Sequence, residues 1–530
     1  MGLFLNRGNQ EFKGVLNSEI YIDKSGMIDV FNSLIGTEQR YACISRPRRF
    51  GKSIAANMLA AYYEKGCDSR ALFEDKKIAQ TANWDRNLNK YDVIRIDMAD
   101  ISSRKNTPED ALDYIEKTVI KELSEEYPGL VPEDCSGIAD ALAEINNANG
   151  AEFIIIIDEW DCFFRDEKSN FSVQQRYINL LRGLLKGNSS KKFTALAYIT
   201  GILPIKKYNS ESALNNFIEY TMLQPKRLAE YIGFTETEVQ GLCEKYDMDY
   251  KQICDWYDGY SFNRAKHIFG PNSVVQSMLD GECYNYWSQT VAFNSLATYI
   301  SMNFDGLKDA ILSMMAGNRE KVRVRTYEND MVSFKSKDDV MTMMIHLGYL
   351  AYDEKAEEAY IPNKEVRMCF EDTLTATDWT EVIESIEASE KLLKNIAKGD
   401  AEAVALGLEE CHRKNTSILK YNDENSLAVS IGLAFYSARK EYNVVREMPA
   451  GEGFADMVFL PKYNVVKPPM IIELKWDKEA ETAISQIKEK KYLESLGDYK
   501  GEVILVGISY EKDGPDAKKH HCIIENIELN

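Results

Sequence analysis

The sequence lacks the features that mark membrane and secreted proteins. It has no apolar run of about 18 residues or more, which excludes an ordinary membrane-spanning helix. The opening MGLFLNRGNQ lacks the layout of a signal peptide, and Asn6 stands where a myristoylation motif has Ser or Thr. None of the ten cysteines forms a C-x-x-C pair, so zinc-ribbon spacing is absent. We therefore expect a cytoplasmic protein, not bound to membranes, whose thiols stay reduced.

Positive charge is also scarce. The chain has 64 Lys and Arg residues against 84 Asp and Glu residues, which gives a formal net charge of −20. This balance excludes general nucleic-acid binding through the overall field, so any contact with DNA or RNA must use local basic patches or metal ions. With 530 residues of ordinary globular composition, the chain predicts about two to four domains.

The first 225 residues predict an α/β domain. Helical patterns such as SIAANMLAAYYEKG separate four strand candidates, which are RYACIS (40–45), YDVIRIDMA (91–99), AEFIIIIDEWD (151–161) and KKFTALAYITG (191–201). Strands that alternate with helices indicate a parallel sheet with helices on both faces. The nearly unbroken apolar run from Phe153 to Ile157 predicts a central strand that is covered on both sides.

Residues 45–59, SRPRRFGKSIAANML, end like a phosphate-binding loop but do not begin like one. The usual pattern is G-x-x-x-x-G-K-[ST], and Arg46 occupies the first glycine position. The stretch still supplies a strand end, a loop and a helix start, which is what phosphate binding needs. Lys52 would reach the β- and γ-phosphates, Ser53 would hold Mg²⁺, and Gly51 would allow close backbone approach. A basic turn before a helix fits these residues equally well.

Two further strand ends favour a nucleotide site. Asp158 ends the most apolar strand and could hold the water shell of Mg²⁺, while Glu159 could polarise an attacking water. Thr200 ends the next strand and could contact the γ-phosphate, although capping the following segment is the simpler role. The carboxyl ends of parallel strands share one edge of a sheet, where open α/β sheets bind ligands. We therefore predict a nucleotide-binding core over residues 1–225.

The rest of the chain predicts three further regions. Residues 226–378 suggest helices followed by a helix and a short hairpin, much like a winged-helix module. Residues 379–420 are charged and helical, and we expect a connecting linker there. Residues 421–530 predict a separate α/β domain in the order helix (424–440), strand (442–448), strand (454–460), strand (470–476), helix (479–495) and strand (502–510).

Charged residues interrupt the apolar strands of this last domain. Glu473 and Lys475 are two apart in MIIELKW, so both point to one face of a strand. Asp456 lies in the preceding strand, and an Asp with a Glu on the neighbouring strand can hold Mg²⁺ while a Lys activates water. Gln486 on the next helix and Glu424 on the preceding one could join this site. A solvated sheet face is the alternative, because E-x-K alone is common.

The N-terminal motifs together resemble the bacterial AAA-ATPase-like family, whose members carry RPRRFGK in place of a full glycine-rich loop. The likeness covers about residues 8–370 and rests on YIDKSGMIDVF, ISRPRRFGKSIAANML, FIIIIDEWD, YITG, WYDGYSF and GYLAYDE…YIPNKEVR. It implies a bacterial ATPase that binds ATP and Mg²⁺. It also implies nucleotide-binding roles for Arg49, Phe50, Gly51, Lys52, Ser53, Asp158 and Thr200.

The same resemblance includes Tyr21, Asp23 and Lys24, which we expect to support the nucleotide pocket. Arg48 or Arg49 could stabilise transferred charge, and the sequence does not choose between them. Either arginine could instead pair with an acidic neighbour.

Residues 421–525 resemble the PD-(D/E)xK nuclease superfamily, in the form fused behind an AAA-ATPase-like domain. The resemblance implies that Asp456 and Glu473, with Glu424, bind Mg²⁺ or Mn²⁺, and that Lys475 and Gln486 complete a catalytic set. The implied partner is nucleic acid, DNA being the expected one, and a homo-oligomer is compatible with it. Two features depart from the family pattern: the first helix has Glu424 to Ala428 with no histidine, and Gly453-Phe454 replaces a basic residue.

Two hypotheses about function follow. The first is an ATPase coupled to a metal-dependent nuclease that cuts phosphodiesters. The second is an ATP-driven switch that binds a partner or nucleic acid without cutting it, which the missing histidine and the acidic composition favour. A third possibility is that the first domain binds ATP but scarcely hydrolyses it and acts as a sensor. The presence of Glu159 argues against this possibility.

Overall fold

The polypeptide forms two compact units. One unit contains residues 1–296 and 321–369, and the other contains residues 297–320 and 370–530. The computed structural model describes residues 2–529 with the exception of 83, 166–170, 206, 209–210, 213, 288–299, 301–303, 305, 316, 328–333, 377–379, 415–430, 432–433, 436–437, 439–440, 451–452, 463–464, 498 and 516–517.

A five-stranded parallel sheet forms the core of the first unit, in the order β2-β3-β4-β1-β7. Its strands are β1 (Tyr41–Ser45), β2 (Asp92–Asp97), β3 (Phe153–Asp158), β4 (Thr194–Gly201) and β7 (Ile218–Tyr220). The four predicted strands are confirmed, and every residue of β3 is buried, as expected for a strand that is covered on both faces. The short edge strand β7 was not predicted. A two-residue hairpin of β5 (Lys207–Tyr208) and β6 (Glu211–Ser212) precedes it.

Ten helices described in the first 200 residues accompany this sheet. Apolar residues spaced three and four apart give them one buried face; in α6 these include Leu112, Ile115, Val119 and Leu123. Helix α6 begins with Thr107 as N-cap and Pro108 in its first turn, a favourable start for a helix. The helices are α1 (Gln10–Leu16), α2 (Gly26–Asn32), α3 (Lys52–Tyr63), α4 (Arg70–Phe73), α5 (Met98–Arg104), α6 (Pro108–Glu126), α7 (Ile138–Asn149), α8 (Cys162–Arg165), α9 (Phe171–Leu185) and α10 (Ser190–Phe193).

The middle of the chain is helical, as predicted. Helix α11 (Glu236–Tyr246) begins with a capping box in which Thr235 and Glu238 satisfy each other's backbone N–H groups. Helices α12 (Tyr250–Tyr257) and α13 (Pro271–Asp280) follow. Farther along, helix α15 (Lys337–Leu347) leads into an antiparallel hairpin of β9 (Ala351–Asp353) and β10 (Glu358–Tyr360), the order of elements that the sequence predicts. Helix α14 (Leu307–Met315) and strand β8 (Glu320–Lys321) lie between these two groups in the chain.

The second unit is built on a mixed sheet in the order β11-β12-β13-β14-β15. Only β13 and β14 run parallel; the other neighbours are antiparallel. The strands are β11 (Tyr442–Ala450), β12 (Gly453–Pro461), β13 (Met470–Trp476), β14 (Gly501–Tyr510) and β15 (His520–Leu529). Helix α16 (Lys364–Ala376) begins in the first unit and ends in the second, and α17 (Thr380–Ala397), α18 (Ala401–Lys414) and α19 (Ala480–Glu489) belong to the second unit.

The predicted strands and the following helix of this domain are confirmed. The predicted helix over 424–440 falls mostly outside the described residues. Helix α19 packs on β13 and β14 through Ala483, Ile484 and Ile487, which are buried. Within the described part of the chain, no helix combines the length and the apolar character that a bilayer crossing requires.

Candidate functional site

The phosphate-loop candidate closes around the amine of Lys52. Gly51 has φ +84°, a left-handed conformation that glycine adopts without strain, and α3 begins at the next residue. The buried Nζ of Lys52 donates to the backbone carbonyls of Arg46 (3.1 Å) and Pro47 (2.9 Å). Burial lowers the pKa of Lys52, while the nearby carboxylates of Glu159 and Asp158 oppose that shift. The loop is therefore already folded around the lysine that the sequence marks for phosphate contact.

Arg46, the residue in place of the usual glycine, is fully buried and connects two segments of the backbone by hydrogen bonds. Its Nη1 donates to the backbone carbonyls of Ser45 (2.9 Å) and Tyr220 (3.0 Å), and its guanidinium lies 5.6 Å from the ring centre of Phe262. Burial lowers the pKa of Arg46 to about 10. The arginine thus joins the loop to the end of the edge strand β7, which a glycine could not do.

Asp158 presents an oxygen that suits a divalent cation. The side chain is fully buried, its Oδ1 accepts the backbone N–H of Glu159 (3.0 Å), and its Oδ2 is buried without a hydrogen bond of normal geometry. Burial raises the pKa of Asp158 to about 6, and a hydrogen bond from the neighbouring Ser53 hydroxyl opposes the rise. An orphaned buried carboxylate oxygen beside a serine hydroxyl fits Mg²⁺, which prefers oxygen ligands.

Glu159 is held between two cations. Its backbone has φ +51°, an uncommon left-handed conformation for a residue with a side chain. Its Oε2 accepts a hydrogen bond from Nη2 of Arg165, and its Oε1 lies 3.9 Å from Nζ of Lys52. The carboxylate that the sequence proposes as the water-positioning base is therefore paired in this structure.

Asp161 anchors the same arginine, and neither residue was identified from the sequence. The fully buried Asp161 accepts the backbone N–H groups of Ile202 (3.1 Å) and Leu203 (2.9 Å) through Oδ2, which lies 3.0 Å from Nε of Arg165. A Cβ on Gly201 would meet Oδ1 of Asp161 at 2.5 Å, so the end of β4 needs glycine there. The only sequence signal was the four-residue spacing between the acid and the base.

A cavity of about 880 Å³ opens beside these groups. One part of its lining carries the charged and loop residues, which include Arg48, Arg49, Phe50, Gly51, Lys52, Ser53, Glu159 and Arg165. Another part is apolar and includes Ile20, Ile22, Phe234 and Val275. A pocket with a few charged groups and an apolar portion, within the size range of small-molecule sites, matches what a nucleotide needs.

The remaining residues predicted for this site occupy different places. The Thr200 side chain is fully buried and donates to the carbonyl of Ile44 (3.1 Å), so it is not among the cavity-lining residues. Tyr21 and Lys24 line the cavity. Asp23 accepts the backbone N–H groups of Ser25 and Lys77 and thereby shapes the segment beside them.

The loop residue Phe50 contacts both the cavity and the helical middle of the unit. It lines the cavity, and its ring also packs edge-on against the rings of Tyr260 (5.5 Å between centroids) and Trp287 (6.5 Å). Pro47 of the same loop approaches Gly348, where an added Cβ would lie 2.6 Å from the proline Cγ. The phosphate-loop candidate is thus packed directly against the helical middle of its own unit.

A second cluster lies in the second unit, around Glu473 of β13. Glu473 is only 2% exposed, and its Oε1 accepts from Nζ of Lys475 (3.0 Å) and from Nε2 of Gln486. Burial raises the pKa of Glu473 to about 7, the charge of Asp456 adds to the rise, and Lys475 opposes it. The hydroxyl of Tyr492 accepts from the same amide of Gln486 (3.0 Å), a contact that the sequence did not indicate.

Asp456 completes this cluster from β12. Its Oδ2 accepts the backbone N–H of Leu474 (2.7 Å), and its own N–H lies 3.5 Å from Oε2 of Glu473. The structure therefore brings Asp456, Glu473, Lys475 and Gln486 together, as the sequence predicts. Two mutually repelling carboxylates beside a lysine suit a divalent cation as oxygen donors.

The third predicted ligand, Glu424, lies outside the described residues. Within the described ranges, no group of three or more His, Cys, Asp or Glu side chains is arranged to hold a metal ion. Among the described residues, Asp456 and Glu473 are the two carboxylates of this cluster that could hold a cation.

Two family models match the two parts of the chain that carry these clusters. Residues 7–209 match the family described as predicted AAA-ATPase, and residues 422–516 match the PD-(D/E)XK nuclease superfamily. The fold and the matches therefore describe an AAA-ATPase-like α/β domain joined to a nuclease-superfamily domain. These matches confirm the resemblance to an AAA-ATPase-like domain over residues 7–209 and the resemblance to the PD-(D/E)XK superfamily over residues 422–516.

A curated relative and several solved structures are similar over parts of the chain. An uncharacterised protein in the vnfD 5′ region of Azotobacter chroococcum mcd 1 is 24% identical over 277 residues, which span 51% of this chain and 50% of the relative. This chain thus spans about half the length of that relative.

The solved structures share still less sequence. The Aeropyrum pernix ORC2 protein, in its ADPNP–ADP complexes, has 12% identity and a TM-score of 0.31, with 71% of this chain and 99% of that chain covered. A Pyrococcus horikoshii STAND protein with a tetratricopeptide-repeat sensor has 13% identity and a TM-score of 0.27, covering 78% of this chain and 50% of that one. Likeness at this level carries no functional information about this chain.

Proposed function

We propose that the first unit binds and hydrolyses ATP. The observation that carries this proposal is the convergence of Lys52, Asp158 and Glu159 at the carboxyl edge of one parallel sheet, beside a cavity of about 880 Å³. In an open α/β sheet this edge is the usual place for a ligand.

Each residue has a distinct role in this proposal. Lys52 exchanges its bonds to the loop carbonyls for bonds to the β- and γ-phosphates, and the backbone N–H groups at the start of α3 face the same phosphates. Ser53 and Asp158 hold Mg²⁺, which when bound neutralises charge on the phosphates. Glu159 accepts a hydrogen bond from the attacking water and orients it. The apolar wall with Ile20, Ile22 and Phe234 would cover the base.

Phosphate release from ATP tests this proposal. Lys52→Ala should abolish ATP binding, because the only buried ammonium group in the loop is lost. Glu159→Gln should retain binding and lower turnover by about 100-fold or more, since removal of a general base costs 10²–10⁴. Wild-type protein that neither binds nor hydrolyses ATP, with Mg²⁺ present, would contradict the proposal.

We further propose that the second unit is a metal-dependent nuclease acting on nucleic acid, with DNA as the expected substrate. The supporting observation is the contact set around buried Glu473, which includes Lys475, Gln486 and the carboxylate-bearing Asp456. Mg²⁺ or Mn²⁺ held by the two carboxylates would polarise a phosphodiester and lower the pKa of a water. Lys475 would help to activate the attacking water, and Gln486 would orient Glu473 through its hydrogen bond to that carboxylate.

Binding of Mn²⁺ tests the metal site apart from cutting. Asp456→Asn keeps an oxygen that can accept the N–H of Leu474 but removes one negative charge, so Mn²⁺ affinity should fall about tenfold or more. Asp477→Asn is a matched control, because Asp477 also accepts a backbone N–H (from Lys512, 2.7 Å) but lies outside the cluster. Equal affinity in the wild type and both variants would contradict the assigned ligands.

A second candidate is an ATP-driven switch that binds nucleic acid or a partner without cutting it. The observation that favours it is the position of Lys475, whose Nζ is already engaged by Glu473 (3.0 Å) and by the carbonyl of Leu474 (3.0 Å). A lysine held in this way would anchor the carboxylate rather than activate water. Metal binding without any cleavage would support this candidate.

A further inference from the structure

Among the described residues, Arg165 lines the cavity and forms ion pairs with two carboxylates. It is the last residue of α8, its side chain is 14% exposed, and it contacts Glu159 and Asp161. Its partner Asp161 is itself fixed, because Oδ2 accepts the N–H groups of Ile202 and Leu203. Burial alone would lower the pKa of Arg165, but the charges of Asp161 and Glu159 raise it, so the guanidinium is charged at every working pH.

We infer that Arg165 senses the γ-phosphate of bound ATP and thereby controls Glu159. Without nucleotide, Arg165 pairs with Glu159 and keeps that carboxylate from accepting a hydrogen bond from water. When ATP fills the cavity, Arg165 turns its Nη groups to the γ-phosphate and releases Glu159, while the charge of Asp161, whose Oδ2 lies 3.0 Å from Nε, keeps the guanidinium beside it. This inference rests on the proposed ATPase function and adds a trigger to it.

The exchange of partners follows from charge and geometry. A guanidinium presents a planar fork of donors that matches a phosphate as well as a carboxylate, and a γ-phosphate carries more negative charge than one carboxylate. The phosphate position marked by Lys52 is near, because Nζ of Lys52 lies 3.9 Å from Oε1 of Glu159 and the other oxygen of that carboxylate accepts from Arg165. The negative phosphate also repels the Glu159 carboxylate, which weakens the original pair further.

Arg165 fits this role better than the loop arginines do. Arg48 and Arg49 also line the cavity, but both are exposed, and water competes with any phosphate contact that they make. Within the described part of the chain, the cations that pair with Glu159 are Lys52 and Arg165, so neither loop arginine links phosphate binding directly to the proposed base. The inference also predicts that ADP leaves Glu159 paired, since ADP brings no γ-phosphate.

Calorimetric affinities for ATP and ADP, with Mg²⁺ present, test the inference. Arg165→Gln should lower ATP affinity by about 10- to 100-fold and leave ADP affinity unchanged, because only the γ-phosphate contact is lost. Arg176→Gln is the matched control: Arg176 also pairs with two carboxylates, Asp113 and Glu116 (both 2.6 Å), but lies outside the cavity lining. Arg165→Lys, which keeps the charge without the fork, should restore part of the loss.

A second variant, at Glu159, tests the same competition between Glu159 and the γ-phosphate for Arg165. Glu159→Gln removes the negative charge that competes for Arg165 and leaves only a weaker neutral acceptor, so ATP affinity should rise several-fold while ADP affinity stays constant. A purely structural role for the pair would shift both affinities together or change only the melting temperature. Parallel changes for ATP and ADP in both variants would overturn the inference while ATP binding by the wild type stands. Wild-type protein that binds neither nucleotide would overturn the ATPase proposal and this inference with it.

Discussion

At the scale of single residues, Arg46 shows why a loop without its first glycine is still well formed. A conventional phosphate loop uses glycine at this position to bring the backbone close to the phosphates. Here a buried arginine instead binds the carbonyls of Ser45 and Tyr220 and so fastens the loop to the sheet edge. The conformational freedom that the loop still needs comes from Gly51, with φ +84°.

Replacement of Arg46 by glycine should therefore destabilise the protein. Arg46→Gly removes two hydrogen bonds and a large buried side chain, so it should lower the free energy of unfolding by about 2–4 kcal/mol. Arg48→Gly, in the same loop but exposed, should cost less than about 1 kcal/mol. Urea unfolding of the two variants measures the difference. An Arg46→Gly protein as stable as the wild type would refute the structural role of this arginine.

Glu365 predicts a pH dependence of stability. The carboxylate is 2% exposed, and its Oε1 accepts from the Ser273 hydroxyl and from the backbone N–H groups of Tyr286 and Trp287. Burial raises its pKa to about 7, and these hydrogen bonds and the charge of Arg49 oppose the rise. Because the folded-state pKa lies above the unfolded one, the folded state gains stability from this group at acid pH. That contribution is lost as the pH rises through about 7.

The size of this effect is about 3 kcal/mol, since each pKa unit corresponds to about 1.4 kcal/mol. Glu365→Gln keeps an accepting oxygen but cannot ionise, so its stability should change less between pH 5 and pH 8. Thermal unfolding of wild type and variant across this range measures the difference. Parallel pH profiles for the two proteins would contradict the burial of an ionisable group at this site.

At the scale of elements, the contact between the phosphate loop and the end of helix α15 predicts a coupling. Gly348 ends that helix with φ +84°, and an added Cβ would lie 2.6 Å from Cγ of Pro47. Gly281 ends helix α13 with φ +71° but has no atom within 4 Å of an added Cβ. The two glycines therefore share the backbone constraint and differ in the contact.

Gly281→Ala should cost about 1 kcal/mol of stability and leave ATP affinity unchanged, because only the left-handed backbone is strained. Gly348→Ala should cost a further 1–3 kcal/mol, roughly the penalty for overpacking, and should weaken ATP binding because Pro47 must move. Unfolding curves and ATP titrations of both variants provide the measurement. Identical ATP affinities would show that this contact does not influence the loop.

Elements with strong local patterns could be predicted from the sequence, and those that depend on distant partners could not. Strand β3 was evident because its apolar run is nearly unbroken. Strand β7 was not, because three residues with Glu219 in the middle form a strand only through pairing with β1. The same distinction holds within the site: Lys52 and Asp158 follow motifs, whereas Arg165 becomes relevant only through its pairing with Glu159 and Asp161.

The nuclease-like cluster could be predicted to a similar extent. Glu473 and Lys475 share a strand face by simple alternation, and the order of elements suggested Asp456 and Gln486 as neighbours. The contribution of Tyr492 could not be inferred, because it depends on how the segment after α19 returns to the amide of Gln486. The raised pKa of Glu473 likewise depends on burial, which alternation alone does not give.

At the scale of the whole molecule, each unit carries one of the two clusters of charged side chains. The net charge of −20 opposes nucleic-acid binding by the general field, so a nuclease in this chain must rely on its metal ion and on local contacts. Cutting should therefore depend steeply on the divalent cation. We also expect it to weaken with added salt, because salt screens any contact between basic side chains and phosphates.

Cleavage of a mixed set of plasmid and single-stranded substrates, with Mg²⁺ or Mn²⁺ and with or without ATP, tests the central claim most directly. The account predicts that wild type and Asp477→Asn cut when the metal is present, that Asp456→Asn does not, and that chelation stops the reaction. The ATP lanes show whether the first unit controls cutting by the second. Absence of cleavage by wild-type protein with either metal, with and without ATP, would contradict the nuclease assignment and favour the switch.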